Sequence, residues 1–382
     1  MSRRGVGPQL ADVHYGEART HLLRIQERSD PDGSFRASVR DTLEKKLGAE
    51  AVAQIRPDEG IYDPGNHIVL DYIASGVDLA CEALGLDTGK GVVRGVLPMR
   101  GLAAMSSDFF GTGVAIVSIQ ASLVTFTDWL ANLIVSTAFY GEDSTGPWVK
   151  LDSDECLNRV ATDEELRFEW ERLFLHFAGL SVGSKLEVSI MTDAVLTEIQ
   201  NIVKFQLTSA MEVFAIGHEY AHHIERHNAG ETVASHPSRD DAHRFEFEAD
   251  EIAWRISRFL GAAGFAGDFE KPPRRNKWME SCAGAVCILF SADAIKRTRE
   301  LLEYGTFLDT NESDHPDVEQ RVIALEKWHG FDVDPLKAEF RLLRSFLGRL
   351  IGGIFNQLSP RFLRAHEVGM RPRAVLESYI LS

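Results

Sequence analysis

The sequence predicts an α+β fold, mostly helical, with a small sheet beside one long helix. Long stretches space their apolar residues three and four apart, the helical period, above all 163–178, 194–227 and 238–261. Only short stretches read as strands: Val114 to Val124, which is rich in β-branched residues, and Val188 to Thr192. The 382 residues are 44% hydrophobic and 26% charged, so the chain can bury a substantial core.

Residues 1–60 read as helical and charged, with DTLEKKLGAEAVAQI as the clearest amphipathic run. Apolar periodicity continues from Ile61 to Leu86. Gly89 to Gly101 is glycine-rich and predicts a loop with a short strand. The uncharged run Phe109 to Thr127 holds Gln120, serines, threonines and glycines, and Asp128 follows at once. That composition predicts a buried strand leading into a helix rather than a membrane span. Phe126 to Phe139 reads as that helix. Gly141 to Asp154 reads as a loop marked by Gly146-Pro147. Asp163 to Ala178 is a helix with three acids in its first turn.

A long helix is expected from about Ala194 to His227, stopped by Asn228-Ala229-Gly230. A second begins near Ser238 or Asp240 and ends at Gly261, its stripe being Phe245, Ala249, Ile252, Ile256 and Leu260. Residues 262–276 form a loop, and Met279 to Tyr304 a helix. Three regions are expected. An N-terminal helical region covers 1–108. A central domain covers 109–330, with an insertion at about 141–185. A C-terminal helical region covers 331–382.

That last region is basic. Pro335 to Ser382 carries eight Lys/Arg and three Asp/Glu, a net of +5, so the remainder carries about −21. In AEFRLLRSFLGRLIGGIF, Phe340, Leu343, Leu347, Leu350, Ile351 and Ile354 share one side. The first expectation is a helix packed on an acidic body. Peripheral membrane or partner contact through 338–355 is the alternative.

The formal net charge of −16 argues against a nucleic-acid partner. Cys81, Cys156, Cys282 and Cys287 form no C-x-x-C pair and read as reduced thiols of a cytoplasmic protein. Two arginines near the N-terminus have no apolar stretch behind them, so no signal peptide is expected.

The chemistry lies in His218-Glu219-Tyr220-Ala221-His222. Histidines four residues apart differ by about 40° around a helix, so both imidazoles can reach one metal ion. The pattern is that of a zinc helix whose glutamate, Glu219, is the general base toward a metal-bound water. A catalytic zinc needs a third protein ligand. A three-histidine version fails, because the required places hold Glu225 and Asn228. A glutamate from the next helix completes the set instead. Glu246 of Glu246-Phe247-Glu248-Ala249-Asp250 is the third ligand, and Asp250, one turn later, accepts the other N–H of a zinc histidine, His218. His223, His227, His243 and Glu248 read as structural or exposed.

HEYAH followed by EFEAD resembles the H-E-x-x-H … E-x-x-A-D pattern of gluzincin metallopeptidases, specifically the CAAX-prenyl-protease/HtpX-type family. Ser313-Asp314-His315-Pro316 through Arg321-Val322 is similar to that family's S-x-H-P-x-x-x-x-R-I segment. The resemblance covers roughly 185–330. Soluble phage-exclusion-type peptidases offer a second comparison.

The resemblance implies a zincin-like metallopeptidase domain holding one Zn2+ and acting on a peptide or protein substrate. His315 is either a backbone-fixing residue or a donor to the oxyanion, and Arg321 a structural or substrate-orienting side chain. Tyr304 is a further oxyanion candidate. Many family members are membrane proteins and this chain lacks spans, so prenylated-peptide processing is not implied. The edge strand that binds peptide is expected in VAIVSIQA or LEVSIM. A zinc hydrolase of non-peptide amides or small molecules, and a catalytically idle binding protein, remain as alternatives.

Overall fold

Two helix-capping aspartates illustrate how local sequence sets the element boundaries. Asp152 Oδ1 accepts the Glu155 amide at 3.0 Å and opens α4 (Ser153–Thr162). Asp163 Oδ1 accepts the amides of Glu165 and Leu166 and opens α5 (Glu164–Phe177), as the acidic first turn predicts. The computed structural model describes residues 8–34, 37, 40, 41, 44, 64–97, 104–143, 146–180, 196–225, 238–263, 275–308, 316–327 and 335–372. Most of DTLEKKLGAEAVAQI, the expected strand at 188–192, His227 and His315 lie outside them.

The order of elements before those helices is α1 (Pro8–Ser29), α2 (Pro64–Leu84), β1 (Val92–Leu97), β2 (Ala104–Asp108), β3 (Ala115–Gln120), α3 (Ala121–Thr137), β4 (Phe139–Asp143) and β5 (Gly146–Lys150). After them come α6 (Glu198–Ile224), α7 (Arg239–Ala263), α8 (Arg275–Tyr304), α9 (Val318–Lys327) and α10 (Pro335–Glu367). The fold is therefore α+β and mostly helical, with a small sheet. No helix among the described residues is long and apolar enough to cross a membrane.

The described residues form two compact units. One comprises those of 1–124 and 216–256, the other those of 125–215 and 257–372. The boundaries fall inside α3, α6 and α7.

The first unit holds the sheet, in the order β1-β3-β2. β1 runs parallel to β3, with Val92 opposite Ala115, and β2 runs antiparallel, with Ser106 opposite Val117. The peptide-binding edge expected in VAIVSIQA is therefore not an edge: β3 is central and buried along its whole length. Its β-branched residues, with Ser118 and Gln120 buried among them, mark a strand covered on both faces, whereas an edge tends to carry exposed polar residues. The polar edge is β2, AMSSD, which is too short and serine-rich to stand out in the sequence.

Helix α1 lies over β1. A Cβ on Gly95 would come within 2.5 Å of Leu22 Cδ2, so only glycine lets the helix approach this closely. Ala18, Leu22, Val93, Leu97, Phe109, Val114 and Ile116 form the shared core, and the Gln26 amide donates to Val96 O at 2.7 Å.

In the second unit α10 packs against α8, α4 and α5. Phe340, Leu347, Leu350, Ile351 and Ile354 are buried, with Leu343 half-buried, so the expected apolar face is the inner face of the helix. The expected loop at 141–154 is instead the β4–β5 hairpin followed by the start of α4; Gly146 and Pro147, expected to mark the loop, open β5 opposite Asp143 and Glu142, and the strands are too short to show periodicity. Cys81, Cys156 and Cys287 are buried free thiols.

Candidate metal centre

His218 and His222 occupy successive turns of α6 and Glu246 lies in the second turn of α7. Their ligand atoms all lie within 4.8 Å of one another. The two Nε2 atoms are 3.1 Å apart, and the Glu246 carboxylate oxygens lie 3.6 Å from His218 Nε2 and 3.7 Å from His222 Nε2. All three side chains are largely shielded, at 12–16% exposure.

Asp250, four residues after Glu246 and fully buried, puts Oδ1 3.0 Å from His218 Nδ1. The carboxylate favours the tautomer with hydrogen on Nδ1, which leaves the Nε2 lone pair directed at the cluster. A nitrogen lone pair, a second imidazole nitrogen and a carboxylate thus converge, an arrangement that a proton or a cation among them would satisfy. Tetrahedral zinc with bonds of about 2.0–2.1 Å needs its ligands about 3.3 Å apart, close to the separations here. Two nitrogens and an oxygen suit a transition-metal dication better than magnesium or calcium, which prefer all-oxygen shells.

Helices α6 and α7 pack together beside the three candidate ligands: a Cβ on Gly217, one residue before His218, would lie 3.4 Å from Ala253 Cα, an ordinary van der Waals contact. On another face His223 Nε2 lies 3.0 Å from Thr88 O. His243 and Glu248, expected to be exposed, are half-buried, because α7 is covered on more than its apolar stripe.

Glu219 is buried, and burial pushes its carboxyl up to about 7. The neighbouring His218 opposes that rise, Glu246 adds to it, and hydrogen bonds from the backbone N–H and hydroxyl of Ser106 oppose it. A dication among the three ligands would favour the carboxylate form. Ser106 lies on edge strand β2, which places that edge beside Glu219. Sequence reasoning missed Ser106; the only hint was the glycine-bounded segment between Gly101 and Gly111.

Arg321 lies on α9 in the second unit, half-buried, its amide donating to Asp317 O at 3.1 Å. Tyr304, the last residue of α8, is 52% exposed in the same unit. Set against protein families, curated proteins and solved structures, the chain shows no significant match to any of them.

Proposed function

We propose that the chain is a zinc-dependent endopeptidase of the zincin-like, glutamate-completed type. The observation that carries this reading is the convergence of His218, His222 and Glu246 with a buried carboxylate, Glu219, beside them. His218, His222 and Glu246 would hold the ion, and Asp250 would keep His218 in the ligating tautomer. Zinc bound there supplies a Lewis acid that acidifies a water and polarises a carbonyl.

Glu219 then takes a proton from the attacking water and delivers it to the leaving amine. Its Ser106 partners keep the carboxylate in one orientation, and burial keeps it basic enough to accept. An extended peptide can add to the β2 edge by main-chain hydrogen bonds, which would lead its scissile bond past Ser106 to Glu219. That geometry favours peptides over small amides, which have no strand to pair. His315 and Arg321 keep their proposed roles as oxyanion donor or backbone anchor, and as structural or substrate-orienting side chain.

The test is cleavage of a peptide library by wild type and Glu219→Gln, with zinc measured in both. Cleavage by wild type alone, with zinc retained in the variant, is the expected result. Hydrolysis of small amides without peptide cleavage would redirect the reading to a different zinc hydrolase. Zinc bound in both with neither active would leave a binding protein on a peptidase scaffold.

A further inference from the structure

We propose that Tyr220, with Arg94 and Asp78, is a positioning device that sets the rotation of α6 and hence the alignment of the two ligand histidines. The inference rests on the metal reading of His218, His222 and Glu246.

Tyr220 stands two residues after His218 and two before His222, so it projects about 180° from the direction midway between them. It takes no part in the metal cluster and is fully buried. Its hydroxyl donates to Asp78 Oδ1 of α2 at 3.0 Å and accepts from Arg94 Nε of β1 at 2.8 Å. Arg94 also pairs with Asp78 Oδ2 through Nη2 and lies 3.9 Å from Asp71 Oδ1. One hydroxyl is thereby held between a sheet strand and a second helix.

The Arg94 side chain is only 17% exposed. Keeping a guanidinium out of water is costly unless its partners satisfy it, so this is an expensive way merely to fill the back of a helix. A tyrosine ring alone would provide the apolar contact. What the hydroxyl adds is direction, because hydrogen bonds from two elements restrict its displacement around the helix axis.

Side-chain tips lie about 6 Å from a helix axis, so rotation of α6 by about 10° would carry an Nε2 atom about 1 Å. Metal–ligand distances tolerate only about 0.2 Å. The rotation must therefore be held within a few degrees. His223 on Thr88 O restrains a different face. The Tyr220 hydroxyl restrains the face opposite the metal, where a given rotation produces an equal and opposite displacement.

The experiment uses the full chain, metal-stripped and reloaded, in wild type, Tyr220→Phe and Asp78→Asn. Phenylalanine keeps the ring and its packing; asparagine keeps the shape and an acceptor but removes the charge. Zinc affinity is read by competition with a chromophoric chelator, and geometry by the d–d spectrum of the cobalt(II)-loaded protein, both well below the unfolding temperature. Tyr220→Phe is expected to bind zinc about 10-fold more weakly and to shift the cobalt bands, with Asp78→Asn changing in the same direction. A merely structural network would lower the unfolding temperature but leave both readouts at wild-type values, and that result overturns the proposal while the metal reading stands. No metal bound by wild type would overturn the metal reading, and this inference with it.

Discussion

At the scale of single residues, the candidate metal centre depends on where its shielded carboxylates sit. Asp250 and Glu246 share one face of α7 but act differently: Asp250 meets the outer nitrogen of His218 and Glu246 faces the inner ones. Glu212 of α6 is another buried carboxylate, accepting the Thr127 hydroxyl at 3.1 Å. Burial pushes it up to about 8, opposed by the Thr127 bond and reinforced by nearby Asp128. The unfolded chain releases this proton near 4.5, whereas the folded protein holds it to about 8. Its contribution to stability is therefore complete below about 4.5 and is lost as pH rises through 8. The slope reaches at most about 1.4 kcal/mol per pH unit. Glu212→Gln should flatten urea-unfolding stability between pH 5 and 8 relative to wild type; parallel curves for the two proteins would show that Glu212 ionises normally.

At the scale of elements, close approach is set by glycines and affinity by apolar stripes. A Cβ on Gly284 of α8 would sit 2.3 Å from the backbone carbon of Ala210 on α6, and neither backbone can yield cheaply. Gly284→Ala is therefore expected to cost about 3 kcal/mol or more, read from the denaturation midpoint. Helix α10 allows two forces to be compared. Its basic residues meet acids on neighbouring helices: Arg349 lies on Asp154 at 3.1 Å, Arg361 on Glu171, and Arg341 and Arg344 on Glu326. The Arg349–Asp154 pair is 62% and 71% exposed and worth under about 1 kcal/mol. Leu350 is wholly buried, and its truncation costs about 2–5 kcal/mol. Leu350→Ala should therefore destabilise several-fold more than Arg349→Ala, and equal losses would make docking of α10 electrostatic. The charge difference between this helix and the rest of the chain complements its docking but does not drive it.

At the scale of the whole molecule, metal binding would be linked to folding, because the candidate ligands come from two helices whose separation is a tertiary property. An ion that binds only the folded chain adds about 2.7 kcal/mol at 100 times its dissociation constant. Zinc should raise the unfolding temperature of wild type and a chelator should lower it, whereas Glu246→Ala should lose most of that response. An undiminished response would remove Glu246 from the ligand set. The long helices and the histidine pair were legible in sequence because each depends on residues three or four apart, whereas the ten-residue α4 was not. Glu246 and Asp250 were legible for the same reason, their spacing placing them on one face of α7. Strand β2 and its Ser106 were not, because a five-residue polar strand carries little local signal and is made a strand by pairing with β3. VAIVSIQA, one of the two expected edges, proved central because a run of β-branched residues marks a strand without saying which neighbours cover it. Nor does spacing show that Tyr220 meets residues 126 and 142 positions away in sequence. Periodicity and motif spacing are local, so the chain alone specified which residues could bind a metal and from which helices. Only long-range packing decided that their donor atoms meet, which strand borders Glu219 and which residues meet α6 on the face opposite them.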